Sequence, residues 1–508
     1  MFGLMRRKTL TQVLRDAELG SEGRHLKRSL GPFDLMALGI GAIIGTGIFA
    51  VIGTAAAGGA GHLGAGPAVS LSFIITAVAC TFCALCYAEF AALVPISGSA
   101  YTYSYATLGE LVAWIIGWDL IIEYAVGNVA VAIAWAAYFH QLLEGIGLHI
   151  PAWLSVDYRS AAQAAGAVAE AGGEISAANL FPYEAWTTHP TVFGIPVIFN
   201  VLAATIVAAV TWLLVIGVKE SARANNVMVI IKIVILVFFI SVGAMYVKPE
   251  NWTPFMPNGF AGVWTGASLI FFAFIGFDAI STAAEECKNP GRDMPIGIIG
   301  SLIICTIIYI ATSFVLTGVE RWDQLGVADP LAAVFANAGL DWAAGIVSLG
   351  AVISMTAVLL VFQLGQPRIF FSMSRDGLLP KYFSKVHPKY QTPHTTTIWT
   401  GIVVALVSGV ANINEIVELT NIGTLFAFVL VCLGVIILRR TDPDAPRVFK
   451  TPLVPLVPLL GILTCLWLMV GLPTVTWIRF GIWLAAGLVL YFSYGFWKSH
   501  LRKDGNGS

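Results

Sequence analysis

Residues 39–49 read Gly39-Ile40-Gly41-Ala42-Ile43-Ile44-Gly45-Thr46-Gly47-Ile48-Phe49, in the middle of an apolar run from 33 to 57. Each of these glycines weakens a helix by about 1 kcal/mol relative to alanine. In lipid, so broken a stretch persists only where protein or a polar ligand satisfies the freed backbone groups. Close helix packing through small residues is the competing reading. A glycine-rich nucleotide loop is excluded, because no strand precedes the run and it lies at mid-membrane depth.

The membrane assignment follows from composition. Of 508 residues, 57% are hydrophobic and 11% charged, and the mean hydropathy is +0.82. A soluble fold needs more polar surface than this. Runs of about 20 apolar residues predict twelve transmembrane helices at 33–57, 67–94, 109–143, 195–217, 223–247, 262–286, 296–319, 340–372, 395–411, 418–438, 453–472 and 475–497. The strands of a barrel would alternate in polarity, which these segments do not. The expected fold is all-α and integral to the membrane. The net charge of −1 gives no electrostatic reason for a nucleic-acid partner.

Placement of the basic residues sets the orientation. With both termini cytoplasmic, 23 of the 28 Lys and Arg residues fall inside, 3 outside and 2 in or beside spans. Residues 1–32 then form a basic cytoplasmic arm, 498–508 a cytoplasmic tail, and about 144–194 an Ala/Gly/Ser-rich external loop expected to be loosely structured. Cys80, Cys83 and Cys86 have cluster-like spacing, but they lie in a continuous apolar segment and read as small helix residues. No histidine falls at a depth that builds an intramembrane metal site, so neither a metal nor a cofactor is expected.

The starts of spans one to three and six to eight are offset by a near-constant length, about 229 residues. Five spans per copy is odd, so the second copy enters the membrane upside down. The halves are 33–247 and 262–438, with spans eleven and twelve (453–497) outside the repeat. The counterpart of the glycine run in span six is Phe271-Phe272-Ala273-Phe274-Ile275-Gly276-Phe277-Asp278. Paired interruptions in matched spans point to a midplane site, so spans one and six are expected to unwind there. A half-helix starting near Gly45, Thr46 and Gly47 offers N–H groups to a carboxylate. Open carbonyls near Ile43, Phe272, Ala273 and Ile275 accept from an ammonium. A zwitterion satisfies both.

The sequence resembles bacterial members of the amino acid–polyamine–organocation superfamily, near the cationic amino acid transporter branch. The motifs are GIGAIIGTGIF at 39–49, PISGSAYTYSYATLGE at 95–110, FFAFIGFDAISTAAEE at 271–286, SRDGLLP at 374–380 and ELTNIGTLFAF at 418–428. The resemblance implies the five-plus-five leucine-transporter fold and proton-coupled amino acid uptake across the cell (inner) membrane. It also implies carboxylate binding at Thr46 and Gly47, and amine binding at Ile43, Phe272, Ala273 and Ile275. A bound sterol-like lipid or a small single-helix partner is known in such proteins, and the expected working unit is a monomer.

An ionisable residue inside a span is a functional candidate. Lys232, in NNVMVIIKIVILVFF, stands about 13 Å into span five and is expected to couple the proton, a role the resemblance also assigns. Glu123, on one face of span three with Asp119, is a second proton candidate. Asp278 reads as a cap on the restarting helix, and Glu89, Glu285 and Glu286 read as span-end groups open to ion pairing. Phe362 on span eight fills the side-chain pocket and predicts a small neutral substrate such as alanine. A cationic amino acid transporter, an exchanger and a non-transporting sensor are the alternatives.

Overall fold

The computed structural model describes residues 30–59, 61–94, 99–217, 222–390 and 392–501. Most of the basic N-terminal arm, Lys219, Arg502 and Lys503 lie outside the described residues, and so does the side chain of Glu285.

The chain is mostly helical. Among the described residues, eight helices of 22 to 36 residues are long and apolar enough to cross a bilayer, and a bent pair makes a ninth. That pair is Pro32–Ile43 with Gly47–Ala57, meeting at 43°. Three shorter apolar helices, Val201–Val215, His394–Val410 and Leu456–Val470, occupy the places expected for spans four, nine and eleven.

Two boundaries move for identifiable reasons. The tenth expected span begins earlier, at Ile413, because the Asn412 side chain caps it by accepting from the Asn414 and Glu415 amides at 2.9 and 3.3 Å. Its polar first turn reads as loop in the sequence. The seventh begins at Pro290, where a proline's fixed φ and missing N–H are tolerated at a helix start.

The segment at 144–194 is folded, correcting the expectation of a loose loop. It contains helices Ala152–Ser155, Tyr158–Glu170 and Leu180–Thr188 and a hairpin pairing Thr191–Val192 with Ile195–Pro196. A small core of Ala152, Val156, Ala161, Ala185 and Ile198 holds it together. Alanine is the strongest helix former, and its small side chain lets short helices pack closely. Arg159 and Arg479 both pair with Glu415, at 2.5 and 3.2 Å, so this small domain is fastened to the starts of spans ten and twelve.

Asp157 caps the Tyr158–Glu170 helix, accepting from the Ser160 amide and hydroxyl at 2.7 Å each. Burial pushes its carboxyl up to about 6, while the Ser160 bonds pull it down. The folded domain therefore holds this proton more tightly than the unfolded chain, whose carboxyl ionises near 3.8. Asp157 penalises folding least below that value, and stability falls as pH rises toward 6. Hydrogen exchange in residues 158–170, corrected for intrinsic rates, is expected to quicken over that window. Asp157→Asn should flatten the profile, and an unchanged profile would contradict the assignment.

The segments rich in basic residues meet at the opposite end of the bundle. Glu89, fully buried, receives Arg439 Nε at 2.8 Å, Arg447 Nε at 3.1 Å and the Thr451 amide at 2.8 Å. A buried carboxylate is tolerated only when so paired, so this group is structural rather than a solvated span end. Nearby, Leu30 bridges to the strand-like segment after span six: its amide donates to Glu286 O at 3.0 Å, and its carbonyl accepts from Lys288 at 2.9 Å. The approach to span one and the exit from span six are thereby tied together.

Candidate functional site

Span one breaks where its glycines lie. The first half ends with Ile44, whose ψ of 102° is extended. The second half restarts with Ile48 and Phe49 both donating to Gly45 O at 3.2 Å. Thr46 and Gly47 stand ahead of these first donors, so their N–H groups sit at a half-helix N-terminus where no intrahelical acceptor exists.

The sixth span breaks in the same manner. Helix Gly259–Ile270 tightens into a 3-10 turn over Phe271–Phe274, Ile275 is extended at ψ 135°, and Gly276 takes φ +117°. That φ belongs to glycine, which is why the break falls at this residue. A tight 3-10 helix then runs Asp278–Glu286.

The two breaks touch. A Cβ at Gly47 would lie 2.2 Å from Ala273 Cα, and one at Gly276 would lie 3.0 Å from the Ala42 carbonyl carbon. Gly45 faces Val358 of span eight, where a Cβ would meet Cγ2 at 2.9 Å. Glycine at these positions thus serves both readings of the run, close packing and helix interruption. The structure brings Ile43, Gly45, Thr46, Gly47, Phe272, Ala273 and Ile275 into one buried locus. The Thr46 hydroxyl there is buried without a partner.

Lys232, with 0% exposure, reaches across from span five (Ala222–Gly243). Its Nζ donates to Gly41 O at 2.5 Å and Ile44 O at 3.0 Å. In an unbroken helix those carbonyls would accept from Gly45 and Ile48. The break releases them, and the ammonium takes them up. Snorkelling to the interface is excluded by this geometry.

Tyr309 is a participant that sequence reading missed. Its hydroxyl donates to Ile43 O at 2.9 Å, sharing a carbonyl expected to serve the ligand amine. A single tyrosine in the apolar run SLIICTIIYIATS was the available signal. Tyr138 likewise donates to Phe49 O at 2.5 Å, above the restart of span one.

Glu123 lies in a π-helical turn, Ile122–Val126, within span three, and the restart of span one is a second one, Gly47–Val51. Such turns recur at functional positions. The carboxyls of Glu123 and Asp278 come into hydrogen-bonding range of each other, and Tyr124 Oη stands 3.5 Å from Asp278 Oδ2. Asp278 is the first residue of the restarting helix, whose cap position is Phe277 and carries no side-chain cap bond, so it is not the cap expected of it. Phe362 meets Tyr124 edge-on, with centroids 5.6 Å apart, and comes within 3.4 Å of where a Gly127 Cβ would be. Its neighbour Gln363 bonds Asn128 and Thr211, while Thr356 accepts from Trp135 Nε1. Both polar side chains thus hold span eight against spans three and four.

Among the described residues, no group of three His, Cys, Asp or Glu is placed to hold a metal ion. Cys83 packs 3.4 Å from Cys465 across helices, and all seven cysteines are buried.

A helical membrane protein with two touching, interrupted spans that free backbone donors and acceptors from helical pairing has the build of a transporter rather than an enzyme. Comparison gives the family: residues 30–492 match the amino acid permease model, and the chain belongs to that family. It is 49% identical over 504 residues to the branched-chain amino acid permease BcaP of Bacillus subtilis, covering 99% of this chain and all of the relative. It is 46% identical over 503 residues to the methylthioribose transporter of the same organism, with 99% and 100% covered. To the vacuolar cationic amino acid transporter 4 of Arabidopsis thaliana it is 34% identical, covering 87% of this chain and 68% of the relative.

Proposed function

We propose that the protein is a proton-coupled carrier that takes neutral amino acids into the cell by alternating access. It would have twelve spans, a five-plus-five inverted repeat and both termini cytoplasmic, in the cell membrane. The observation that carries the reading is Lys232 on the carbonyls freed by the first break. A positive charge there is sensed by the same backbone that would bind the ligand. In this scheme Thr46 and Gly47 amides receive the carboxylate, and carbonyls of Ile43, Phe272, Ala273 and Ile275 receive the ammonium. Protonation and deprotonation of Lys232 would strengthen and release its hold on span one, and so couple the proton to opening of the site.

Phe362 against Tyr124 leaves little depth for a side chain, which favours alanine-sized substrates and disfavours arginine and lysine. A second reading, branched-chain amino acids, is favoured by the relative of that name at 49% identity. Uptake of labelled alanine into proteoliposomes under an inward proton gradient tests both. Alanine should accumulate, and unlabelled alanine should compete better than leucine, with arginine and methylthioribose ineffective. Leucine competing best establishes the second reading. No gradient-driven flux of any amino acid would refute the coupling.

A further inference from the structure

Asp119 has no place in the scheme above, yet it is the most conspicuous polar side chain that scheme leaves out. It sits about 13 Å into span three, is buried to 1% exposure, and neither carboxyl oxygen has a hydrogen-bond partner. An uncompensated carboxyl in a membrane interior is costly, so its retention calls for a function.

Its surroundings supply one. Glu123 follows one turn along the same helix, about 6 Å further, within electrostatic range of Asp119 and in hydrogen-bonding range of Asp278. Around this pair stand Tyr87 from span two, Tyr103 and Ser281, and Thr424 from span ten. The Tyr87 hydroxyl is buried without a partner, while Tyr103 meets Ser281 and Thr424 meets Glu123. Tyr124 completes the cluster, and Arg368 of span eight lies within its electrostatic range. So many polar groups in one buried locus, with Asp119 and Tyr87 left unpaired, suit a site that exchanges protons. In the other direction, Glu110 begins the helix about 13 Å away, at the basic end of the bundle. It accepts there from Tyr491 at 2.9 Å, Tyr105 at 3.3 Å and Ser499 at 2.5 Å.

We propose that Asp119 is a proton relay on span three, passing the proton from the Glu123–Asp278 pair toward the face where Glu110 lies. Each transfer moves one proton from a carboxylic acid to a carboxylate, through bridging water wherever the gap exceeds hydrogen-bond length, and leaves the net charge of the ladder unchanged. The inference rests on the proton-coupled reading.

The test uses the full-length protein in proteoliposomes. Asp119→Asn should slow pH-driven alanine accumulation about a hundredfold, the lower end of what a positioned proton carrier contributes. Alanine counterflow without a pH gradient should stay near wild type, and Asp119→Glu should restore the driven rate. Retained driven uptake in Asp119→Asn overturns the relay. Equal loss of counterflow in the Asn and Glu variants overturns it too, by making the residue structural. Lys232→Met measured alongside separates the two ideas. If it keeps driven uptake, the coupling reading fails; if it loses it while Asp119→Asn does not, only the relay fails.

Discussion

Lys232→Met is expected to abolish pH-driven accumulation while leaving alanine exchange measurable. With one proton per substrate, two pH units sustain at most about a hundredfold accumulation, tenfold for each 1.4 kcal/mol. The variant should fall to no accumulation. Methionine fills much of the lysine's volume but donates nothing, so Gly41 O and Ile44 O lose the donor seen at 2.5 and 3.0 Å. An unpaired buried carbonyl costs about 1–3 kcal/mol, and this lowers stability as well. Exchange separates the effects: an unfolded variant exchanges nothing, whereas an uncoupled one still equilibrates label. Full accumulation in a folded Lys232→Met would remove this residue from the coupling mechanism.

The second large effect is Gly47→Ala. Its new methyl would lie 2.2 Å from Ala273 Cα and 2.7 Å from Ala273 N. Both obstacles are backbone, so no rotamer change relieves the clash, and the two broken spans must separate by about 1 Å or more. Overpacking of this kind costs about 1–3 kcal/mol, and a 1 Å misplacement at a reacting or binding centre costs about a hundredfold. Uptake should therefore fall about a hundredfold with a modest loss of thermal stability. Gly481→Ala, in the last span with nothing within 4 Å of the added methyl, should leave uptake unchanged. Equal effects of the two substitutions would show that helix propensity, not contact between the breaks, governs the phenotype.

Much of this was legible in the sequence where the signal is local. Four glycines in nine residues announce a weak helix, and one lysine among isoleucines and valines announces a buried charge. The spans were legible because lipid demands length and apolarity. Long-range pairings left no such mark. Nothing near Asp278 indicates that Glu123, 155 residues earlier, faces it, or that Tyr309 will reach Ile43 O. The small domain at 144–194 was misread because its longest helix, Tyr158–Glu170, is built on alanine, which is only weakly apolar, and its other two are short. For Glu89 the choice between an ion pair and a solvated end stayed open in the sequence, because its arginine partners are 350 residues or more away in the chain.

The central claim is that two interrupted helices read the amino acid through its backbone charges. Competition against labelled alanine uptake by alanine methyl ester and N-acetylalanine tests it most directly. The ester lacks the carboxylate that Thr46 and Gly47 would receive, and the acetylated form lacks the ammonium that the span-six carbonyls would receive. Free alanine should compete fully and neither derivative detectably. Competition by either derivative at alanine's own concentration would contradict the account.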